Sequence, residues 1–440
     1  MNQAISGFRL HRAEWTPMQR HGAMALICLA AFFNLLDRQI MSILIDPIKT
    51  EFGASDAAMG LLAGSSFAFF YAACSVPLAR VSDRYPRNML IAISLFAWSL
   101  MTMTGGLASS FVQLALTRVG VAVGEAGAGP SSYTLASDLY PLRHRGKAVA
   151  IYAASTSVGI GLAVMIGGWL LGELGWRGTL VAVGAPGILL SVLLLLFLKE
   201  PPRGLSDPLA ADKAEARFGL MQVIRYLWSL KSYRCIVIIA SAGGGAGFGS
   251  LLWGPTFMLR VHHLSPAEVG LLFGTGTIVA LLIGQVGAGA LADIAGKRDI
   301  RAYMWTMAIS TTIAIPFGLL FVFSDNRWAA ITGFSLFYLF LSPFNLCCIT
   351  MGQTLVPPRM RAMAATIQGL FQTGIGFGVT PPLLGLSNDL LKPYYGELAI
   401  RYSMALTLAI SLLIVGFSLL GARWLLADYA RLHSFNEQAV

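Results

Sequence analysis

The sequence predicts an all-α integral membrane protein whose twelve transmembrane helices form two six-helix repeats. Three observations predict this class: the composition, the number of long apolar segments, and two pairs of matching polar motifs. Of the 440 residues, 56% are hydrophobic and 12% are charged, and the mean hydropathy is +0.69. Soluble domains contain about 25% charged residues. The composition therefore excludes a disordered chain, a collagen, a disulfide scaffold and an ordinary cytosolic enzyme.

Twelve apolar segments are long enough to cross a bilayer, because a membrane helix needs about 20 residues. They lie at 22–46, 58–79, 89–109, 111–137, 147–172, 178–198, 235–258, 267–292, 302–323, 328–353, 362–388 and 402–426. A long polar stretch divides the first six from the last six. The predicted organisation is a cytoplasmic segment 1–21, a first bundle 22–198, a cytoplasmic linker 199–234, a second bundle 235–426 and a cytoplasmic tail 427–440.

The basic residues are distributed unevenly between the two sides of the predicted membrane domain. With the amino terminus in the cytoplasm, 23 of the 31 Lys and Arg residues fall on the cytoplasmic side and six on the other. The remaining two, Arg38 and Arg118, lie well inside spans. This is the positive-inside pattern. We therefore expect a multi-pass protein of the plasma (inner) membrane with both termini cytoplasmic, and the net charge of +10 does not indicate a nucleic-acid partner.

Two polar motifs occur once in each half of the chain. The segment 79–87 after span 2 matches 289–298 after span 8, and their aspartates are 210 residues apart. The segment 140–145 matches 356–361 with an offset of 216 residues. Two matches at nearly the same offset indicate parallel repeats of six helices.

The second copy of the first motif reads GALADIAGKR and resembles the loop motif G-x-L-A-D-x-x-G-[RK]-[RK] of the major facilitator superfamily. The first copy departs from it, with Ala79 and Pro86 at glycine positions and Asn88 at the last basic position. The resemblance covers the whole chain. It implies the major facilitator fold, in which spans 1, 4, 7 and 10 line a central cavity and transport proceeds by alternating access.

A narrower resemblance involves spans 1 and 4. Span 1 contains NLLDRQ at 34–39, and span 4 contains Arg118, GEAG at 124–127 and Pro130. This combination resembles the Spinster family of lipid transporters and its bacterial relatives. The resemblance implies a lysolipid or sphingosine phosphate as substrate, although bacterial members often have no known substrate.

Four charged residues lie inside apolar spans: Asp37, Arg38, Arg118 and Glu125. A charge at the bilayer centre costs about 2.5–3.5 kcal/mol, so these side chains must face protein or water. At about 1.5 Å per residue, Arg38 lies about 24 Å and Glu125 about 18 Å from the cytoplasmic ends of their helices. Two long side chains can bridge this difference, so we predict an Arg38–Glu125 pair in the cavity.

The other two charges, Asp37 and Arg118, lie on the same two helices. Asp37 points about 100° away from Arg38, so we expect it at the cavity edge or hydrogen-bonded to a neighbouring helix. Arg118 shares a face with Glu125 about 10 Å further along the helix, where it could catch an anionic group. The alternative is that all four charges only hold helices together, but intramembrane charges usually mark transport pathways.

These positions predict the chemistry of the site. We expect Glu125, with Arg38 and Asp37, to couple transport to protons, and the two arginines to suit phosphate or carboxylate. The predicted substrate-binding residues, which also include polar and aromatic side chains of spans 1, 4, 7 and 10, are Asn34, Arg38, Arg118, Glu125, Ser132, Trp253, Phe344 and Asn345.

A third set of charges is predicted to bridge the two halves when the cytoplasmic side closes. Its members are Asp83, Arg84, Arg87, Asp138, Arg145, Asp293 and Arg298. Helix capping by Asp83 and Asp293 is the alternative role for the two aspartates. The run Gly243-Gly244-Gly245 in span 7 suits either a moving gate or a tight helix crossing.

The predicted function is a proton-coupled secondary active transporter of an amphipathic organic anion, such as a lysolipid. The alternatives are a facilitator of a small carboxylate or drug, and a transporter-like receptor without net flux. The sequence has no nucleophile–base pair, metal cluster or Walker motif, so we expect no enzyme activity, no cofactor and no direct use of ATP. Expected partners are the substrate, protons and membrane lipids, and the expected oligomeric state is a monomer.

Overall fold

The computed structural model describes residues 15–140, 142–201, 220–357 and 360–438, and these residues form helices and short connections without a β-strand. Nine helical segments of this part are long and apolar enough to cross a membrane. Two of them, His144–Phe197 and Met363–Arg431, each contain two crossings, and Phe111–Leu139 is a further crossing. The fold therefore has the twelve membrane helices that the sequence predicts.

The first half contains helices α1 to α6. Their bounds are α1 Pro17–Phe52; α2 Asp56–Gly60, Leu61–Ser65 and Ser66–Arg84; α3 Arg87–Gly105; α4 Phe111–Leu139; and Leu142–Phe197, which breaks at Gly175 into α5 (142–174) and α6 (176–197). Gly175 has φ +65°, a left-handed conformation that glycine adopts without steric cost. This residue therefore ends one crossing and allows the next to begin at once.

The second half contains helices α7 to α12. Their bounds are α7 Lys231–His262; α8 Pro266–Gly296; α9 Ala302–Phe323; α10 Arg327–Leu341 and Pro343–Thr354; α11 Arg361–Phe371, Gln372–Phe377 and Gly378–Tyr395; and α12 Ala399–Gln438. A short helix, Leu220–Ser229, precedes α7 within the predicted linker. Several helices extend beyond the predicted apolar spans by additional turns of polar residues. Helix α12 continues through most of the predicted tail.

Local sequence signals explain several helix ends. Thr16 and Gln19 form a reciprocal capping box at the start of α1, and Ser265 and Glu268 form one at the start of α8. In both, a proline occupies the first helical position, where its missing N–H needs no partner. Gly53 ends α1 in a left-handed conformation with φ +62°.

The two halves pack against each other at mid-height and toward one face of the helix bundle. We call the face where α1 begins the terminal face and the opposite one the far face. The main contacts between halves are α5 with α8, α2 with α11, and α1 with α7. A Cβ atom added to Gly168 of α5 would lie 2.1 Å from the carbonyl oxygen of Pro266, the first residue of α8. Small residues permit such close backbone approach.

The contacts between halves are therefore concentrated at mid-height and toward the far face. Several hydrogen bonds and ion pairs join the halves at the far face. The structure is closed at its far face.

Substituting Gly168 by valine should separate α5 from α8, because the added atoms would overlap the α8 backbone. The expected result is a longer distance between spin labels placed on the two halves at the far face. Gly172→Val is the matched control, since a Cβ at Gly172 meets no atom within 4 Å. An unchanged distance distribution in Gly168→Val would contradict this account of the contact.

Candidate functional site

Arg38 of α1 and Glu125 of α4 form an ion pair in the middle of the first half. Arg38 Nη2 lies 2.6 Å and Nε 3.1 Å from Glu125 Oε2. The Glu125 side chain is 0% exposed and that of Arg38 is 13% exposed. The structure thus brings together the two residues whose similar depths in the membrane predict a pair. Each neutralises the charge of the other.

The second carboxylate oxygen of Glu125 has a different environment. Oε1 is buried and has no hydrogen-bond partner among the described residues, although Asn34 lies beside the carboxylate. A buried carboxylate oxygen without a donor is costly when it carries charge. The site therefore offers one oxygen to Arg38 and leaves the other available to hold a proton.

Aromatic rings cover the guanidinium of Arg38. Its Cζ lies 4.4 Å from the centroid of Phe67 and 5.1 Å from that of Tyr71, both on α2. Phe67 in turn contacts Phe377 of α11, with centroids 5.6 Å apart, and Phe377 contacts Phe248 of α7 at 4.9 Å. These contacts connect the ion pair to the second half through a chain of rings, and cation–π attraction helps to hold the guanidinium in place.

The residues whose rings connect Arg38 to the second half were not predicted from the sequence. The one signal for Phe67 and Tyr71 is their spacing of one helical turn on α2, which places both rings on one face. The chain contains 25 Phe residues, so this spacing alone does not distinguish a binding site from ordinary helix packing.

Asp37 and Arg118 form a second buried charged group. Each residue is 3% exposed, and Arg118 Nη1 lies 3.5 Å from Asp37 Oδ1. The hydroxyl of Thr102 on α3 donates to Asp37 at 2.5–2.6 Å. Asp37 therefore binds a neighbouring helix, one of its two expected positions. Arg118, expected to share the cavity face, is instead buried against Asp37 in this conformation.

A cavity lies in the second half, mainly between α7, α8, α10 and α11, and it includes two of the predicted substrate-binding residues. Phe344 and Asn345 both line it, together with Gln285 and Gln372. Gln372 Nε2 donates to Asn345 Oδ1 at 3.2 Å. Phe248 also lines this cavity, so the chain of rings ends there. The remaining walls are largely apolar, which suits an amphipathic molecule.

Three of the predicted substrate-binding residues are buried in this conformation, and their contact with a substrate stays a prediction. Trp253 is fully buried, and its Nε1 donates to the carbonyl of Pro381 at 2.9 Å, so it seals the contact between α7 and α11. Ser132 is 2% exposed and lies beside Tyr152 of α5. Glu125 is 0% exposed and reaches a substrate only through Arg38. Sequence position gives the depth of a side chain but not which neighbour covers it.

The terminal-face charges are predicted to bridge the halves when the cytoplasmic side closes, and in this conformation two of them pair within the first half. Arg87 pairs with Asp138 at 2.6 Å and with Glu200 at 2.7 Å, and all three residues belong to the first half. Glu200, just after α6, was not predicted. These pairs tie α3 and α4 to the segment that follows α6.

The remaining members of that set have no described partner in the opposite half. Arg84 and Arg298 are exposed, and Arg145 Nε is buried without a hydrogen-bond partner among the described residues. The side chains of Asp83 and Asp293 lie outside the described part of the structure. Their bridging role, and the capping alternative, stay predictions.

An ionic network that the sequence analysis missed joins the halves at the far face. Arg260 of α7 binds Asp46 of α1 at 2.5 Å and Asp56 of α2 at 2.7 Å. Lys49 also pairs with Asp56 at 2.5 Å. Asp389 of α11 accepts hydrogen bonds from the backbone N–H groups of residues 56 and 57, at 3.0 and 2.8 Å. We call these five side chains the far-face network.

Comparison with known proteins agrees with this architecture. Residues 27–381 match the family model of the Major Facilitator Superfamily. The chain belongs to this superfamily of membrane transporters, and it is therefore a multi-pass integral membrane protein.

Individual relatives place the chain among the Spinster-like members. It is 29% identical to an MFS-type efflux pump of Mycolicibacterium smegmatis, over 94% of this chain and 93% of the relative. It is 25% identical to a sphingosine-1-phosphate transporter of Danio rerio, over 94% and 86%. A crystal structure of a bacterial homologue of the lysosomal transporter Spinster, inward-facing and unoccupied, superposes with a TM-score of 0.84 and 27% identity, covering 94% of this chain and 99% of that one.

Replacing Arg260 by glutamine should open the far face, because Asp46 and Asp56 then lose their shared partner. A cysteine at the buried position Ser42, on the α1 face against α7, should react faster with a membrane-impermeant maleimide in the Arg260→Gln background. Arg177→Gln is the matched control, since Arg177 pairs with Glu51 within the first half. Equal reactivity in both backgrounds would exclude a closing role for the network.

The Arg38–Glu125 pair should show strong coupling in thermal unfolding. Arg38→Ala or Glu125→Ala alone leaves a buried charge unpaired, which costs about 3–5 kcal/mol in comparable buried pairs. The double variant should be less destabilised than the sum of the two single variants. Additive melting-temperature changes across the four proteins would show that the two side chains act independently.

Proposed function

We propose that the protein is a proton-coupled secondary active transporter that moves an amphipathic organic anion, of the lysolipid or sphingolipid-phosphate kind, by alternating access. The observation that supports this most is the Arg38–Glu125 pair, in which a partly exposed cation holds a fully buried carboxylate. The chain of rings from Phe67 to Phe248 connects this pair to an apolar cavity. A charged head group and an apolar tail would thus each find a matching surface.

The proposed coupling is a competition for one guanidinium. An anionic head group that binds Arg38 takes the partner of Glu125 away. The buried carboxylate then becomes unfavourable as an anion and accepts a proton, for which Oε1 is available. Binding of the anion and binding of the proton would thereby favour each other, as thermodynamic linkage requires.

The proposed orientation puts the terminal face in the cytoplasm of a plasma membrane. The concentration of Lys and Arg on that face supports it. The far face is then the external side, and its closure makes the described conformation inward-facing. The superposition on an inward-facing Spinster homologue supports the same assignment.

Arg118 and Asp37 would act in the opposite conformation. The N–O distance between Arg118 and Asp37 is 3.5 Å, longer than the 2.6 Å between Arg38 and Glu125. Nε and Nη1 of Arg118 have no hydrogen-bond acceptor among the described residues. We propose that opening of the far face exposes this guanidinium to the departing or arriving anion. Asp37 would then be the second carboxylate whose protonation depends on an arginine.

A second candidate function is transport of a small carboxylate or a drug. The M. smegmatis relative is described as an efflux pump, which supports outward transport of the substrate. The two functions differ in what occupies the apolar cavity beyond Phe248. Uptake of labelled lysolipid and of small carboxylates into proteoliposomes distinguishes them, and uptake of neither would favour a receptor without net flux.

Glu125→Gln should abolish the response of lysolipid flux to an imposed pH gradient, because the amide cannot exchange a proton. The measurement is flux in proteoliposomes with and without the gradient. Glu397→Gln is the control, since Glu397 is an exposed partner of Lys392 near the far face. A Glu125→Gln protein whose flux still follows the gradient would refute the coupling role.

A further inference from the structure

A second cavity, separate from the transport site, lies at the terminal face. It is formed where the first turns of α1 meet the connection between α4 and α5, and its volume is about 430 Å³. Ligand pockets are commonly about 300–1,000 Å³. Its lining consists of Pro17, Arg20, His21, Tyr140, His144, Lys147, Ala148 and Ile151. None of these side chains belongs to the ion pairs or aromatic contacts of the transport site.

The cavity contains basic groups without counterions. Within the described residues, no carboxylate oxygen lies within 4.0 Å of a side-chain nitrogen of Arg20, His21, His144 or Lys147. Within this set, His21 Nδ1 and the hydroxyl oxygen of Tyr140 lie 3.0 Å apart. Buried donors are almost always satisfied. Arg20 Nε is buried and has no partner among the described residues, so it lacks an acceptor that an anion would supply.

The backbone adds to the positive potential of this cavity. Both α1, starting at Pro17, and α5, starting at residue 142, begin beside it. The amino-terminal end of a helix carries a partial positive charge. Two such ends together with four basic side chains favour a phosphate or another compact anion.

The cavity also has an apolar edge. Ile151, one turn beyond Lys147 on α5, lines the cavity and is 56% exposed. In a membrane protein such exposed apolar side chains contact lipid tails. An occupant that meets both surfaces needs an anionic group and a hydrocarbon chain attached to it.

We propose that this cavity binds the phosphate-bearing head group of an anionic membrane lipid. Arg20 and Lys147 hold the phosphate, His21, Tyr140 and His144 supply further hydrogen bonds, and the chains leave past Ile151. Assignment to the cytoplasmic leaflet, where juxtamembrane bases attract anionic lipids, rests on the proposed orientation. The proposed binding of the lipid does not depend on that orientation.

A lipid bound there would connect the terminal ends of α1, α4 and α5. Two of these helices carry Arg38 and Glu125, so the head group would stabilise the half of the protein that contains the ion pair. The expected effect is therefore visible in unfolding of the full chain and needs no transport assay.

The test is thermal unfolding of the purified full-length protein in detergent at fixed ionic strength. Dioctanoyl phosphatidylglycerol should raise the melting temperature more than dioctanoyl phosphatidylcholine or inorganic phosphate does. The Arg20→Gln, Lys147→Gln double variant should lose this difference. Arg225→Gln with Lys297→Gln is the matched control, since it removes two exposed bases near the same face outside the cavity and should keep the difference.

Equal stabilisation by the two lipids, or an undiminished response in the double variant, would overturn the proposal. If inorganic phosphate stabilises as strongly as the anionic lipid, the anion site stands and the lipid as its source is refuted. Should the double variant fail to fold, native mass spectrometry of Lys147→Gln compares the number of retained phosphatidylglycerol molecules with wild type. Retention equal to wild type would contradict the site, and none of these results depends on the proton-coupling proposal.

Discussion

A low-dielectric environment does not tolerate an unpaired charge, and this constraint organises the interior of the protein. Every charged side chain that the sequence places deep in a span has found an opposite charge: Arg38 with Glu125, and Arg118 with Asp37. The same constraint makes the pairs useful, because a partner that leaves must be replaced by another ion or by a proton. A transporter needs such exchangeable pairs, whereas a permanent structural pair would be better replaced by apolar residues of similar size.

The features that depend on distance along the chain could be predicted from the sequence. The number of membrane helices follows from the number of apolar segments that are long enough to cross a bilayer. The Arg38–Glu125 contact follows from the depths of these two residues along their helices, at a fixed rise per residue. The sequence also contains glycines in α5 that face α8, among them Gly168. Their function became clear once the distance from Gly168 to the Pro266 carbonyl was known, because a close backbone approach involves two helices.

The features that depend on rotation about a helix axis, or on the conformation adopted, could not be predicted. Trp253 lies on a cavity-lining helix, yet its ring is turned toward Pro381. Asp46, Lys49 and Asp56 lie near span ends, where charges are common and most face water. Their pairing with Arg260 depends on the halves being closed at that face. The terminal-face charges are predicted to bridge the halves when the cytoplasmic side closes, so a structure that is closed at its far face does not test them.

The far-face network and the terminal-face charges are therefore best understood as alternatives. Alternating access requires two conformations whose free energies differ by only a few kcal/mol. Opening the far face frees Arg260 and its carboxylates to water, which removes their mutual attraction but also their desolvation cost. We expect a comparable set of contacts at the terminal face when that side closes. Arg84, Arg145 and Arg298 have no described partner across the halves and are positioned to supply it, whereas Asp138 must first be shared with Arg87. The Arg87–Asp138–Glu200 cluster would then be the contact that rearranges as the terminal side closes.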